Sequence, residues 1–417
     1  MTLPWKRLFA FGGLQLFGTI APVLVVPVIV RLVGVEGWVG LSLGYAIGAA
    51  AAIAINYGWP ITGPSRLAAA TEAEAAAAFY ESLIMRATVA LPVLAIAVLA
   101  SSILTPAGHR GLAVAMTVAM ASSGMASNWY YIGRGQPNGI LHYEAVPKLV
   151  ATLVTIPLVH FTHIAVLYPV LLLCGTLGGV YVSARRILAG HKGTTHLAPG
   201  LKSRFASYGL VAASGIVGAG YTSLALPITQ IAGTSLVQVA NLAGSLRLRS
   251  MTQAGIAAGT SALQGWVSEQ DQVLTRRRRM RVALLTNAGL GALAGLLLFL
   301  AGPLISTFLF GDAVEMSYTL SALTGLACVP YALSASLSFH ILAPLGRTRS
   351  VASSRVLATA IGVPLIFVMT RQSGANGAAG AILISESVVV VLQALTVYRV
   401  NRQNRQTAVG AARATTS

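Results

Sequence analysis

The chain alternates long apolar stretches with short polar segments. Stretches such as 89–105, 283–302 and 351–369 carry almost no charge, and each is long enough to cross a hydrocarbon core of ~30 Å. The short alternating strands of a membrane barrel are absent from this pattern, so the spanning elements are predicted to be helices. We predict twelve spans, of which the first is interpreted as a span and not as a removed signal peptide. Their predicted ranges are 9–32, 38–57, 86–106, 111–132, 148–162, 164–184, 208–231, 236–262, 283–309, 317–342, 351–370 and 377–398.

The composition supports the same fold class. Hydrophobic residues make up 55% of the 417 positions and charged residues only 9%. A soluble chain of this length needs far more charge to cover its surface. The sequence therefore predicts an all-α polytopic membrane protein.

The positions of the basic residues predict how the chain is oriented. With the amino terminus in the cytoplasm, the cytoplasmic segments collect all of the 28 Lys and Arg residues except Arg31, Arg110 and Arg371. Arg247 and Arg249 could lie within the eighth span, and the asymmetry remains without them. This distribution follows the positive-inside rule and predicts a cytoplasmic-membrane protein with both termini in the cytoplasm. Most of the net charge of +18 is then an orientation signal against anionic membrane lipids, and no nucleic-acid partner is expected.

The longest basic loop divides the chain into two lobes of six spans each. The loop covers 185–207, and we place the boundary so that the amino-terminal lobe is 1–197 and the carboxy-terminal lobe is 198–417, which includes a basic tail. Lobes with six spans each have the same orientation in the membrane. Two such lobes are therefore predicted to be parallel repeats.

Matching sequence segments support this repeat. VVPVIVRLVG at 25–34 corresponds to LALPITQIAG at 224–233, and KLVATLVTIP at 148–157 corresponds to RVLATAIGVP at 355–364. The two matches occur in the same order and at similar offsets. Internal repeats of this kind are typical of transporters, whose two lobes rock about a central site.

Three motifs in the first third of the chain indicate a family. PVIVRLVGVEGW at 27–38, NYGWPITGPSRLA at 56–68 and NWYYIGRGQ at 128–136 resemble, in order and in depth, motifs of the polysaccharide transporter family. These are the O-antigen and teichuronic-acid flippases of the multidrug/oligosaccharidyl-lipid/polysaccharide exporter superfamily. The third motif departs from the family pattern, because Ile132 and Gly135 stand where Gln and Glu are usual.

The resemblance implies twelve helices in two lobes around a central cavity. It also implies a flippase that moves a polyprenyl-pyrophosphate-linked oligosaccharide across the membrane by alternating access. The lipid-linked oligosaccharide and membrane lipids are the expected partners, together with the polymerase and glycosyltransferases of the same pathway. Arg side chains in a cavity would replace water around the phosphates while the prenyl tail stays in lipid.

Other functions stay open at this stage. A multidrug exporter of the same superfamily would be expected to carry acidic coupling residues in the amino-terminal spans, and the predicted spans there contain no Asp or Glu. A membrane-embedded glycosyltransferase or ligase would usually show an acidic catalytic group and a sizeable outer loop. The sequence contains no P-loop, metal-ligand cluster or nucleophile–base arrangement, so neither an enzyme nor a cofactor is expected.

Three arginines near the ends of spans are candidates for contact with substrate. Arg31 ends the first span on the predicted outer side, where it either extends to the lipid headgroups or lines the cavity. Arg66 and Arg134 end the second and fourth spans at the predicted cytoplasmic side, as orientation anchors or as part of the inner mouth. The pattern of Thr71 and Glu74 after Arg66 is a capping box that predicts a short surface helix.

The eighth span supplies two more cations. Arg247 and Arg249 interrupt the otherwise apolar or small-residue stretch 237–267. Side chains two positions apart on a helix point in directions that differ by about 200°. We therefore expect one of these arginines to line the cavity while the other reaches the interface or lies near a helix break. Asn241, about two turns away, is predicted to contact sugar.

One acid lies well inside a predicted span. An isolated carboxylate in lipid is costly, so Glu386 in the twelfth span is expected to face protein or water. It either hydrogen-bonds a neighbouring helix or serves in proton coupling. His340 in the tenth span is predicted to be its partner or a hydrogen-bonded interior histidine.

Overall fold

The structure is a computed structural model that describes residues 5–67, 70–190, 201–268 and 273–414. In these ranges the chain is built from α-helices with short 3₁₀ and π turns and contains no strand. Backbone polar groups in hydrocarbon must be satisfied within the protein, and helices achieve this within each segment. The predicted lobe boundary at 197/198 lies outside the described residues.

The amino-terminal half begins with a long helical segment that turns at Gly34 and continues with shorter helices. Its helices are α1 (Trp5–Asn56), α2 (Trp59–Leu67), α3 (Glu72–Leu104), α4 (Arg110–Ser122), α5 (Asn128–Gly133), α6 (Pro137–Ile140), α7 (Val146–Thr162) and α8 (Leu167–Leu188). The 3₁₀ turn Ser123–Met125 lies between α4 and α5, and the π turn Leu141–Ala145 joins α6 to α7.

The carboxy-terminal half ends with the longest helix of the chain. Its helices are α9 (Leu201–Ser223), α10 (Ala225–Ile231), α11 (Leu236–Ser268), α12 (Val273–Phe310), α13 (Tyr318–Leu326), α14 (Cys328–Ser336) and α15 (Thr348–Ala414). The π turn Leu337–Leu342 follows α14.

Helices α1 and α15 are each a pair of membrane spans joined by a tight turn. The 52 residues of α1 would reach about 78 Å as one straight helix, which is more than twice the hydrocarbon thickness. The turn in α1 is at Gly34, with φ 65° and ψ −168°, and the turn in α15 is at Ser373 and Gly374. The two arms of α15 pack against each other, as the contact of Gly362 with the Ser385 side chain shows.

With these two turns the described residues contain twelve spans, close to the predicted ranges. Seven continuous stretches of the described residues are long and apolar enough to cross a membrane. Those that include α1 and α15 each hold two spans, which makes nine. The remaining three spans are formed by α4 with α5, by α9 with α10, and by α11. The prediction of a short surface helix after the second span is wrong in length. Thr71 and Glu74 do form the capping box, but the helix that it begins runs on to Leu104 as the third span.

Matching breaks in the two halves add to the repeat seen in the sequence. The fourth span is broken at Ser123–Met125, and the tenth is broken at Ala327 between α13 and α14. The two breaks are roughly 200 residues apart, as expected for the internal repeats of transporters. The fold is therefore all-helical, with two six-span lobes related as parallel repeats.

A buried arginine satisfies the backbone at the break in the fourth span. Arg86 on α3 is fully buried and donates hydrogen bonds to the carbonyls of Gly124 (3.3 Å) and Ala126 (2.8 Å) and to the Ser82 hydroxyl (3.1 Å). Carbonyls freed by a helix break need such partners in a membrane. The sequence indicated Arg86 only as the start of a span.

Small residues let the helices approach closely. Gly44 and Gly48 of α1 lie against the backbone of α4 at Ala113 and Thr117. On α8, a Cβ at Gly179 would overlap the Tyr143 carbonyl oxygen, whereas a Cβ at the adjacent Gly178 would meet no atom within 4 Å. Close backbone contacts of this kind are a main source of helix association in membranes.

Gly178 and Gly179 provide a matched test of this packing. We expect Gly179→Ala to lower the midpoint of thermal unfolding in detergent, because overpacking costs about 1–3 kcal/mol. Gly178→Ala should leave the midpoint unchanged or raise it, since Ala is favoured over Gly in a helix by about 1 kcal/mol. Equal midpoints for the two variants would show that the α8 backbone contact does not constrain the fold.

Candidate functional site

A cavity of about 230 Å³ lies between the two halves of the chain. The halves contribute equally to its wall, with nine residues each. The wall residues of the amino-terminal half are Val26, Trp38, Leu41, Ser42, Tyr45, Ala46, Ala49, Met116 and Tyr168, and those of the carboxy-terminal half are Thr222, Ser223, Leu226, Ala243, Leu246, Arg247, Arg249, Ser250 and Gln253.

Half of the eighteen wall residues are apolar, and the other half are two cations and seven neutral side chains with hydroxyl or amide groups. Both charged wall residues are arginines, and no carboxylate belongs to the wall in the part of the chain that the structure describes. Hydroxyl and amide groups come from Tyr45, Tyr168 and Gln253, among others. Such a cavity favours an anionic ligand that also carries hydrogen-bonding groups.

Arg249 is held by a buried carboxylate of the twelfth span. Its Nη2 donates to Glu386 Oε1 at 2.6 Å, and each side chain is only 4% exposed. Tyr221 of α9 also lies beside the Glu386 carboxylate. Glu386 therefore faces protein, as expected, and its ionic partner is Arg249.

Arg247 faces the opposite lobe and is held by aromatic rings. Its guanidinium lies 4.8 Å from the centre of the Tyr45 ring and is close enough to the Tyr168 hydroxyl to hydrogen-bond with it. No described carboxylate forms a salt bridge with Arg247. It is therefore a cation of the wall without an acidic partner among the described residues.

The two arginines point in different directions, as their spacing on a helix requires, yet both belong to the cavity wall. The expectation that only one would line the cavity is not met, because α11 lies between the lobes. One face of α11 meets Tyr45 and Tyr168, and another meets α15. Both side chains contribute to the cavity wall.

Asn241 and Arg31 are not brought to the cavity. Asn241 lies on α11, nearer than Arg247 to the end of the bundle where the turn at Gly34 lies. Its Oδ1 is buried with no hydrogen-bond partner among the described residues. Arg31 is exposed three residues before the turn at Gly34. Its position fits a side chain that extends to the membrane surface.

Arg66 and Arg134 lie at the end of the bundle that carries the loops after the even-numbered spans, which we call the basic end. Arg66 donates to Glu81 Oε2 at 3.1 Å and to the Tyr208 hydroxyl at 3.2 Å. Arg134 donates to the Ala70 carbonyl at 2.8 Å and pairs with Glu72. These contacts match the anchor interpretation of both residues, and neither residue belongs to the cavity wall.

His340 is a hydrogen-bonded interior histidine and not the partner of Glu386. Its Nε2 lies 3.0 Å from the Thr260 carbonyl oxygen, and its Nδ1 lies 2.9 Å from the Ser336 hydroxyl. The carbonyl can only accept, so Nε2 carries the proton and Nδ1 can accept from Ser336. A neutral imidazole satisfies this arrangement.

The lobes contact each other on both sides of the cavity. Away from the basic end, Trp38 Nε1 donates to the Ala240 carbonyl at 3.2 Å, and its ring lies 5.1 Å from that of Phe310. At the basic end, Trp59 stacks on Tyr208 at 4.7 Å. The Tyr57 hydroxyl donates to the Phe205 carbonyl at 3.0 Å.

The sequence did not single out the aromatic side chains that contact these cations and join the lobes. Trp38, Trp59 and Tyr208 lie near the ends of spans, where aromatic residues are common in any membrane protein. Tyr45 and Tyr168 carry no local pattern that separates them from other tyrosines. Their roles depend on contacts across the lobe interface.

Comparison with solved structures identifies the class of fold. The chain is similar to the lipid II flippase MurJ in an inward closed conformation, with a TM-score of 0.73 and 11% identity over 94% of this chain and 87% of that chain. It is also similar to an inward-facing multidrug resistance MATE family transporter of the MOP superfamily, with a TM-score of 0.70 and 14% identity over 94% and 96% of the two chains. A third likeness is to the eukaryotic MATE transporter AtDTX14, with a TM-score of 0.66 and 14% identity over 94% and 95%.

No protein-family model and no curated protein matches the sequence. The chain is a polytopic membrane protein with the two-lobe, twelve-helix fold of MOP-superfamily transporters. This likeness shows the fold that the resemblance of the sequence motifs implied. The similar structures include drug exporters and a lipid flippase, so the fold alone leaves the substrate open.

The Arg249–Glu386 pair can be tested by a double-mutant cycle. Arg249→Leu and Glu386→Leu should each lower the thermal midpoint strongly, because a buried charge without its partner costs about 3–5 kcal/mol. The double variant should recover most of the loss, since a buried ion pair is often replaceable by apolar residues. Ser250→Ala on the same wall should have a small effect. Additive losses in the double variant would contradict the pairing.

Proposed function

We propose that the protein is a flippase that moves a polyprenyl-pyrophosphate-linked oligosaccharide across the cytoplasmic membrane by alternating access, for the synthesis of a surface polysaccharide. The basic end faces the cytoplasm in this proposal, with both termini on that side. The observation that carries the proposal is the charge of the cavity between the lobes. Its wall holds Arg247 without an acidic partner, and no described wall residue is acidic.

The chemistry of the wall fits this substrate class. A sugar diphosphate cannot cross hydrocarbon alone, because its charges and hydroxyls would lose their water. A guanidinium offers paired donors that match phosphate oxygens. The hydroxyls of Tyr45 and Tyr168 and the amide of Gln253 can bond sugar hydroxyls, while the apolar half of the wall excludes bulk water.

A multidrug exporter for cationic compounds is less well supported by the same wall. The helices of the amino-terminal half do contain acids, but Glu81 pairs with Arg66 and Glu144 pairs with Lys148. Neither of these carboxylates belongs to the cavity wall. A cationic drug in this cavity would therefore meet arginines without a free carboxylate.

The size of the cavity implies that the lobes must separate. About 230 Å³ is below the roughly 300–1,000 Å³ usual for small-molecule pockets, so an oligosaccharide does not fit between lobes that touch at both ends. Opening at the basic end would admit the headgroup from the cytoplasmic leaflet. An inside-negative potential favours outward movement of negative charge by about 2.3 kcal/mol per charge per 100 mV.

The proposal is tested first in cells. Deletion of the gene should cause the polyprenyl-linked oligosaccharide to accumulate on the cytoplasmic face, with loss of the finished polymer that the pathway's polymerase and glycosyltransferases make. Each leaflet is assayed separately with a membrane-impermeant modifying reagent. Unchanged intermediates and normal polymer, with no second flippase present, would exclude this function. Loss of dye efflux instead would favour the drug exporter.

Substitution of Arg247 and of Arg31, two of the predicted cavity cations, should have different effects on transport. In proteoliposomes, Arg247→Gln should lower the rate of headgroup transfer roughly ten- to hundredfold, because a hydrogen bond to a charged group is worth about 1.5–3 kcal/mol. Arg31→Gln should leave the rate near that of the unmodified protein, since Arg31 is exposed away from the cavity. Undiminished transfer in Arg247→Gln at equal reconstitution would remove Arg247 from the mechanism.

The contacts on the two sides of the cavity can be tested by access to it. Ser42→Cys, in a chain with Cys174→Ser and Cys328→Ala, places the single thiol in the cavity wall. Trp38→Ala should increase its labelling by an impermeant maleimide from the side opposite the basic end, and Tyr208→Ala should increase labelling from the basic end. Phe161→Ala, which alters an exposed aromatic residue, is the control. Labelling that does not depend on side would contradict two separate gates.

A further inference from the structure

Arg249 connects the cavity to the buried acid of α15. The side chain belongs to the cavity wall, while its Nη2 is occupied by Glu386 Oε1 at 2.6 Å. Its Nε has no hydrogen-bond partner among the described residues. Arg249 is therefore placed to bond a ligand, but its charge is already balanced by Glu386.

The charges of the wall and of the proposed ligand do not match in this arrangement. Arg247 contributes one unbalanced positive charge, and the pair of Arg249 with Glu386 contributes none. A pyrophosphate diester carries two negative charges, and burying an unbalanced charge is strongly unfavourable. A second positive charge is needed when the headgroup binds.

We propose that the bound pyrophosphate replaces Glu386 as the anionic partner of Arg249, and that Glu386 takes up one proton as this happens. This inference rests on the proposed function and assigns how the same cavity binds its substrate. The proton comes from the surrounding water and bonds to a carboxylate oxygen of Glu386, and no bond of the ligand is broken. The occupied cavity then holds two arginines against two phosphate charges and is neutral.

The groups around Glu386 come from four helical segments. They are Arg249 of α11, Tyr221 of α9, Cys328 and Tyr331 of α14, and Arg355 of the first arm of α15. None of these neighbours carries a carboxyl or an imidazole group, so Glu386 is the carboxyl group of this cluster. His340 is hydrogen-bonded to Ser336 and Thr260 instead.

The sign of the pH dependence follows from the exchange. Protonation of Glu386 accompanies binding, so binding becomes tighter as the pH falls and weaker as the pH rises. The dissociation constant should increase by up to about tenfold per pH unit while free Glu386 is ionised. Once Glu386 is protonated in the free protein as well, the dissociation constant should stop changing with pH.

The test uses the full chain in lipid nanodiscs and a short-chain prenyl pyrophosphoryl monosaccharide as the probe. This diester keeps a constant charge over the pH range, so its own titration does not contribute. Isothermal titration calorimetry in two buffers of different ionisation enthalpy counts the protons taken up on binding. The unmodified protein should take up close to one proton per probe at pH about 7.

Variants separate the exchange from simple anion binding. Glu386→Gln should bind the probe without proton uptake and with little dependence on pH. Arg247→Gln should bind more weakly but keep the uptake, and Glu81→Gln, which alters another buried ion-paired glutamate, should also keep it. If Glu386→Gln does not fold, the pH series of the unmodified protein decides alone. Binding with no uptake and no pH dependence would overturn the exchange and leave the flippase intact, whereas no binding of the probe would count against the flippase itself.

Discussion

Hydrocarbon supplies no hydrogen-bond partners and no counter-ions, and the arrangement of this bundle depends on that constraint. Backbone groups are satisfied within helices, and where a span breaks, a buried side chain takes over. Arg86 does this at Ser123–Met125 through the carbonyls of Gly124 and Ala126. The two arginines of α11 are held by the same requirement: Arg249 has Glu386, and Arg247 has two tyrosines of the other lobe.

The cavity lies between two lobes that also pack against each other around it. Within each lobe, glycines let backbones meet, as Gly48 does with α4 and Gly295 with Gly325. Between the lobes, α11 packs along α1, and its two arginines contribute to the cavity wall. Further contacts between the lobes involve Trp38 on one side of the cavity and Tyr208 at the basic end. Rocking of the lobes requires that the contacts along α11 and at both ends be exchanged.

Cations of similar appearance in the sequence have different surroundings, and the surroundings set what each can do. Arg66 and Arg134 are held by Glu81 and Glu72 at the basic end, which suits anchors that hold loops in place. Arg31 is exposed and free to reach the membrane surface. Among the predicted arginines, Arg247 and Arg249 alone belong to the wall of a buried cavity, so the case for an anionic substrate depends on them.

The sequence alone determined the class of protein, the number of spans and their repeat, because hydrocarbon thickness and the positive-inside rule act on local properties of a chain. It also singled out the charges at 247, 249 and 386, since each interrupts an apolar stretch, and it predicted that Glu386 faces protein or water. Only the tertiary structure decided which side chains these charges contact. Arg249 and Glu386 are 137 positions apart, and their contact depends on how α11 and α15 are rotated and placed against each other. Helix rotation is set by packing over the whole bundle, which no single segment records.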